Sequence, residues 1–427
     1  MCPNHLFKSF CYLLILPFLL LSCKDEETFI LNEIPPTYSS HYVSYEQALD
    51  KALAFLTNNN STTRAQSFKV KSHYEFSANN NYEIRTRATD LIEDTIDIRF
   101  HVINFEDNAG FALVSADDRT TPIYAYSTES NLDLEEGIAN TGLSTFMEGA
   151  ILRYREEIRL LPVIGPWIPD PAAEDSFLLC PRTIYNGQEC YVKYHDHRQQ
   201  VSPLLTTLWN QSSPYNYYCP IINGQSWAGY ENRAAAGCVT IALAQIMAYY
   251  NYPNNWDWGL IHTSPSYSEG IHNETTNEVA QFVYDVAISA NISWGIQSSS
   301  NIYNANSALE NWNYITSAVQ DFDCGNVVNS LKVNQPVYCR GTQPGTNEGH
   351  AWVIDGYNHT TTFATYYAIP LPHVKLGESS FGSPFFYHCN WGWGGNNNGY
   401  FIDTFSISEG QSFSANTKII YYAHPNL

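Results

Sequence analysis

Basic residues are scarce in this chain. Its 427 residues include 21 Lys and Arg against 42 Asp and Glu, a formal charge of -21. A surface of that sign repels phosphate backbones and anionic headgroups alike, which argues against nucleic-acid binding. Long apolar runs are scarce as well: the stretch from Tyr12 to Leu21 is too short to cross a bilayer as a helix. No CxxC pair or His/Cys cluster has zinc spacing, so no metal is expected and no cofactor is implied. No internal repeat is present. What remains is a chain with 44% hydrophobic residues, enough for real cores, and a length that suits two or three domains at roughly 100–200 residues each. Its 31 Tyr and 10 Trp suggest the aromatic, hydrogen-bonding surface of a secreted protein.

The amino terminus points the same way. "KSFCYLLILPFLLLSCKDEE" sets a basic residue before a short apolar run that ends in Ser22 and Cys23. This pattern predicts a signal peptide over residues 1–22. Leu20-Leu21-Ser22-Cys23 resembles a bacterial lipobox, which makes Cys23 the expected lipidated first residue, and the acidic residues after it resemble a surface-export signal. An outer-membrane lipoprotein is therefore expected, held at the membrane by its amino-terminal lipid alone.

Residues 23–40 read as a polar tether. In "SYEQALDKALAFL", Ser44 and Gln47 have capping-box spacing, and Leu49, Ala52, Leu53 and Leu56 share one helical face. "TIDIRFHVINF" alternates Ile96, Ile98, Phe100 and Val102 with more polar residues, and "EDNAG" turns it back into "FALVSADD", which predicts a β-hairpin. "PIYAYS" reads as another strand. Leu143, Phe146, Met147, Ala150, Ile151, Tyr154 and Ile158 mark a second amphipathic helix. Residues 41–161 thus read as a small α+β domain. The four prolines of "PVIGPWIPDPAAED" open a linker over 162–200, within which Leu178 to Gln200 could form a short hairpin. A second domain follows over 201–427, with 5 basic residues against 14 acidic.

Seven cysteines remain after the signal and Cys23 are set aside: Cys180, Cys190, Cys219, Cys238, Cys324, Cys339 and Cys389. An odd number outside the cytoplasm leaves at least one free thiol, and the other six could form three disulfides in any of fifteen pairings.

Three separated pieces of the second domain carry chemistry. Cys238 follows Gly237 and opens an apolar helix that Pro253 stops. The positive end of a helix dipole favours the thiolate there, although a lone cysteine beside an apolar helix is more often core. His350, in "EGHAWVIDGYN", precedes a short strand and can face a cleft as a base toward a thiol. In "YHCNWGWGGNNNGYF", Asn390 ends a strand, where an amide oxygen could hold an imidazole while the adjacent indole shields the bond.

Cys, His and Asn in this order follow the papain-like arrangement. The stretches "PLLTTLWNQSSPYN", "AAAGCVTIALAQIMAYYNYP", "GHAWVIDGY" and "NWGWGGNNNGYF" resemble streptopain and its relatives, secreted bacterial cysteine proteases, and "GFALVSADDRTTPIYAYS" resembles their inhibitory propeptide. The resemblance implies a papain-like catalytic domain behind an α+β prodomain. It makes Cys238 the nucleophile, His350 its base, Gln211 a donor to the oxyanion, Asn390 the residue that orients His350, and Trp391 the cover over that pair. It further implies an endopeptidase made as a zymogen, acting through a thioester acyl-enzyme on protein or peptide substrates, with its own prodomain as inhibitor. Two other readings share the fold: a catalytically silent binding or inhibitory lipoprotein, and a thiol amidase or acyltransferase.

Overall fold

In the computed structural model, residues 41–59, 68–78, 96–134, 141–164, 182–268, 270–342, 349–369, 374–405 and 417–427 are described. The segments read as signal peptide and tether, Cys23 and Cys180 lie outside them. No helix among the described residues is long and apolar enough to cross a membrane.

The first helix, α1 (Tyr45–Asn59), starts where the capping box places it. Ser44 N–H donates to Gln47 Oε1 at 2.9 Å, and Gln47 N–H donates to Ser44 Oγ at 3.4 Å. Ala48, Ala52 and Leu56 form its fully buried line, whereas Leu49 and Leu53 only flank the core. Strands β1 (Val70–Ser77), β2 (Arg99–Phe105), β3 (Phe111–Ser115) and β4 (Ile123–Ser127) form an antiparallel meander. The expected hairpin joins β2 to β3, its turn passing through Asp107 and Asn108 at positive φ. Alternation along β2 does not mean one wet face: His101 is as buried as Phe100, because its Nε2 donates to the Val43 carbonyl at 2.7 Å beneath α1. Helix α2 (Thr141–Ile164) buries Leu143, Phe146, Met147, Ala150, Ile151 and Tyr154 and runs past the expected end at Leu161.

Of the stretch read as linker, residues 182–201 are a hairpin, β5 (Arg182–Tyr185) and β6 (Gln188–Val201). The catalytic half then supplies helices α3 (Cys238–Tyr250), α4 (Trp258–His262), α5 (Glu274–Ser289), α6 (Ile302–Asn311) and α7 (Cys324–Lys332). Its main strands are β7 (Tyr314–Ile315), β8 (Gln320–Asp321), β9 (Val337–Thr342), β10 (Gly349–Ala368), β11 (Lys375–Gly382), β12 (Phe386–Asn390), β13 (Gly399–Ile402), β14 (Lys418–Ile420) and β15 (His424–Pro425). Strand β10 is long enough to serve two neighbourhoods. Its first half lies between β9 and β12, and its second half pairs with β6 from Tyr357↔Val201 to Ala368↔Cys190.

One sheet runs through both halves of the chain in the order β1-β2-β3-β4-β13-β12-β10-β9-β14-β8. The junction is β4 on β13, with Tyr126 opposite Tyr400 and Ala125 opposite Phe401. The core follows the sheet across that junction: Phe111, Phe146 and Met147 share one apolar cluster with Trp352, Trp391, Phe401 and Phe405. A second cluster surrounds α3, whose residues from Val239 to Ala248 are all buried. Burial on all sides explains why the helix reads as apolar throughout.

Candidate active site

Cys238 is the first residue of α3, and Gly237 before it has φ 95° and ψ 131°. A side chain at that position would strain the backbone, so glycine lets the chain turn sharply into the helix. The segment leading to it is held by neighbours on both sides. Ala235 N–H donates to the Gly295 carbonyl at 3.2 Å, and Ala236 N–H donates to the Gln211 carbonyl at 2.9 Å. The second bond places Gln211 beside the approach to Cys238.

The half-buried thiol does not carry the lowered pKa that a helix start alone would give. Burial pushes it up, against the opposing pull of the Ala351 N–H, the Arg340 guanidinium and the Val239 N–H.

His350 sits near the start of β10 and is 4% exposed. Its Nε2 lies 2.8 Å from the carbonyl oxygen of Trp391. A carbonyl can only accept, so Nε2 carries the proton and Nδ1 is the free base of the neutral ring. Burial lowers the imidazole pKa to about 4, even though the Trp391 carbonyl favours the charged form. Thiol and imidazole are therefore both neutral at physiological pH.

The residue that holds the histidine differs from the one expected. Asn390 does not bond to His350: its Nδ2 donates to the Thr207 carbonyl at 3.0 Å and to Gln245 Oε1 at 3.3 Å. Its Oδ1 accepts from Gln245 Nε2 at 3.2 Å and from Gly392 N–H at 3.1 Å. The orienting group is the backbone carbonyl one residue later, and residue type carries no signal for a backbone atom. The Trp391 ring is fully buried, with Nε1 donating to the Asn397 carbonyl at 3.0 Å, while Trp393 has its ring 4.8 Å from that of His350.

The amino-terminal domain reaches this site directly. Gly142, in the first turn of α2, lies so close that a Cβ there would meet His350 Cδ2 at 2.6 Å and the Trp391 ring at 3.0 Å. Asp133 N–H donates to Asn397 Oδ1 at 2.9 Å, and Ser130 Oγ donates to the Asn398 carbonyl. Ser130, Asp133 and Gly142 thus bracket the tryptophan turn and the histidine. Sequence reading did not single out Gly142, since a glycine near a helix start is an ordinary cap.

Among the described residues, Cys219, Cys238, Cys324, Cys339 and Cys389 are free thiols, so none of the disulfides considered from the count forms among these five. Cys219 is buried, with its pKa pushed up to about 12 by burial. Cys339 and Cys389 are shifted the same way by the same cause.

A thiol at a helix start, an imidazole held at a strand mouth and an upstream glutamine beside the thiol segment are the parts of a papain-like cysteine peptidase, here with an amino-terminal domain seated on the histidine. Comparison with known proteins agrees. Residues 40–151 match the Spi protease inhibitor family, and residues 209–259 and 254–401 match the Peptidase C10 family. Streptopain of Streptococcus pyogenes is 28% identical over 341 residues, which cover 68% of this chain and 71% of that protein. The thiol protease/hemagglutinin PrtT of Porphyromonas gingivalis is 25% identical over 345 residues, covering 71% of this chain and 33% of that one. A prointerpain A fragment from Prevotella intermedia is similar in structure at a TM-score of 0.48 with 20% identity, covering 77% of this chain and 96% of that one. The chain belongs to the Peptidase C10 family of streptopain and is a cysteine peptidase with an inhibitor-type domain ahead of its catalytic domain.

Proposed function

We propose that this chain is the latent form of an extracytoplasmic endopeptidase, anchored through a lipid on Cys23 and activated by removal of its amino-terminal domain. The observation that carries the reading is the seat of Gly142 against His350 and Trp391. A domain placed there excludes substrate from the histidine, and desolvation at the site keeps the proton on sulfur.

Removal of the domain returns water and substrate to the pair. The Cys238 proton passes to His350 Nδ1, and the sulfur attacks the scissile carbonyl carbon. The Gln211 side chain and the Cys238 N–H donate to the developing oxyanion, where loss of one donor costs about 10²–10³ in rate. The imidazolium gives its proton to the leaving amine as the C–N bond breaks, which leaves a thioester on Cys238. Water, deprotonated by His350, then hydrolyses the thioester and restores the thiol.

Protein or peptide chains are the substrates on this reading. Cleavage between residues 165 and 181 would free the catalytic domain without disturbing either α2 or the β5–β6 hairpin. It would also separate the enzyme from Cys23, so activation and release from the membrane would be one event.

Incubation of the activated protein with a denatured protein, followed by fragment mapping, tests the activity. Cys238→Ala should abolish fragmentation and Cys219→Ala should leave it intact. Cleavage by the Cys238→Ala protein at the normal rate would refute the assignment. For the anchor, Cys23→Ser should move the full chain from the membrane fraction to the soluble one, and an unchanged distribution would refute that part.

A further inference from the structure

The interior of α3 contains a polar side chain that the reaction scheme above does not use. Gln245 is fully buried in a helix whose other residues from Val239 to Ala248 are apolar apart from Thr240. A carboxamide in such a place is costly unless both of its ends are satisfied. Here both ends are, and every partner belongs to a segment that carries a site residue.

Oε1 of Gln245 accepts from Thr207 Oγ1 at 3.0 Å and from Trp209 N–H at 3.4 Å, on the segment that leads to Gln211. It also accepts from Asn390 Nδ2 at 3.3 Å, while its Nε2 donates to Asn390 Oδ1 at 3.2 Å, so the two amides pair reciprocally. Asn390 Oδ1 in turn holds Gly392 N–H, and its Nδ2 holds the Thr207 carbonyl. Trp391, whose carbonyl holds His350, is therefore pinned on both sides by an amide that is itself pinned by Gln245.

The helix geometry makes this connection direct. Residues 238, 241 and 245 lie along one face of α3, since seven residues are close to two turns. Ile241 lies on that face against Gly392: a Cβ on Gly392, whose φ is 73°, would meet Ile241 Cγ2 at 3.1 Å. The face that presents the thiol at its start thus grips the tryptophan turn one turn later and two turns later.

We infer that Gln245 is a positioning residue of this peptidase, whose carboxamide sets the Trp391 carbonyl, and through it His350, in register with Cys238 and with the segment that leads to Gln211. The inference rests on the reading of Cys238 and His350 as nucleophile and base. Hydrogen-bonded groups without such a role would show their loss in stability alone. A positioning group shows it in the chemical step, because a shift of about 1 Å in a reacting group can cost on the order of 100-fold.

The test uses the activated form of the full chain carrying Gln245→Met, which keeps the shape and removes the polar ends, with Cys219→Ala as a control. Folding is checked by circular dichroism and thermal melting, kcat and KM are separated, and the pH profile of Cys238 alkylation is recorded. The expected result is a folded protein whose kcat falls about 10- to 100-fold with little change in KM, and whose alkylation profile moves toward higher pH as the thiolate loses its aligned imidazolium. A folded variant with normal kcat and an unmoved profile would overturn the inference. If the Met variant does not fold, Gln245→Glu decides. A neutral carboxyl can still donate to Asn390 Oδ1, so activity should persist at low pH and fall as that carboxyl ionises, whereas a pH profile identical to the parent would again overturn it. Activity in Cys238→Ala would instead defeat the underlying reading and is scored separately.

Discussion

His388 Nε2 lies 2.7 Å from Glu129 Oε1, and its Nδ1 lies 2.6 Å from Asp355 Oδ1. One imidazole therefore joins a carboxylate of the amino-terminal domain to a buried carboxylate of the catalytic domain. Asp355 and Glu129 hold its pKa up at about 9 despite burial, and Glu129 is lowered in return. Tyr400, with its ring 5.0 Å away, and Tyr126 stacked on Tyr400 close the pocket around it. The charged state is thus a bridge between domains as well as a satisfied core group.

That bridge has a pH window. The raised histidine contributes fully below its ordinary value of 6.5 and loses its contribution as pH rises through about 9. The lowered carboxylate contributes above its ordinary 4.5 and loses its contribution as pH falls through its depressed value. Glu129→Gln in the Cys238→Ala background should therefore lower stability most between pH 4.5 and 6.5 and hardly at all at pH 9.5. Because Glu129 is half exposed, the loss should be about 0.5–1 kcal/mol, read from urea midpoints across pH. A difference that is constant with pH would count against the bridge.

His388→Ala should cost more, since it leaves Asp355 buried without its cation. Removal of one partner of a buried pair costs about 3–5 kcal/mol. Leu205 N–H, which donates to Asp355 Oδ2 at 3.0 Å, is too little to replace it. A loss below about 1 kcal/mol in the same unfolding assay, within the range of an exposed pair, would show that Asp355 is otherwise satisfied.

Gly142→Val should loosen latency without harming the enzyme. Forcing a side chain into the space beside His350 and Trp391 costs about 1–3 kcal/mol, roughly five- to hundredfold in the docking equilibrium. The uncut Gly142→Val chain should alkylate at Cys238 faster than the parent by that factor, while the activated form keeps its normal kcat. Equal alkylation rates in the two uncut chains would show that the contact does not set latency.

Acid should destabilise the folded chain through three desolvated histidines. His350 is depressed to about 4, and His73 and His101 are depressed by burial as well. His101 Nε2 must donate to the Val43 carbonyl, so its Nδ1 accepts from His73 Nε2 at 3.0 Å, and a second proton there would break the pair. The unfolded chain takes up protons below pH 6.5 that the folded chain refuses, so stability falls as pH drops from 6.5 toward 4. Glu148 on α2 opposes this: burial raises it to about 7, so its ionisation costs stability as pH rises. Glu148→Gln should stabilise the Cys238→Ala chain above pH 7, leave it unchanged below pH 4.5, and steepen the acid decline. A urea midpoint that does not move between pH 6.5 and 4.5 in the Glu148→Gln protein would contradict the histidine argument.

Thiol labelling should sort the cysteines by burial. Cys190, Cys219, Cys339 and Cys389 are buried and should resist iodoacetamide in the native full chain. Cys238 should label slowly there and at least about tenfold faster after activation, as its pKa falls back and the thiolate fraction rises. Mass mapping at several times gives the order, and prior reaction at Cys339 or Cys389 would be inconsistent with the fold.

Much of this protein could be read along the chain because the signals are local. The capping box before α1, the turn residues between β2 and β3, the apolar face of α2 and the glycine ahead of Cys238 each act within a few residues of where they are written. The candidate nucleophile and base were legible for the same reason, each as a chemical type placed at the start of an element. Other features depend on residues far apart, whose meeting no local pattern encodes. Asn390 has the right chemistry to hold an imidazole, yet its amide goes to Gln245 on another element, and a backbone carbonyl takes the role. The stretch after the prolines reads as a short hairpin, but no local pattern says that its β6 strand also pairs with β10, about 170 residues later. The sequence by itself determined which chemical groups this peptidase has and where its helices and hairpins begin. Only the tertiary structure decided which of those groups touch, because pairing β4 with β13 and seating α2 on His350 bury surface that neither half can cover alone.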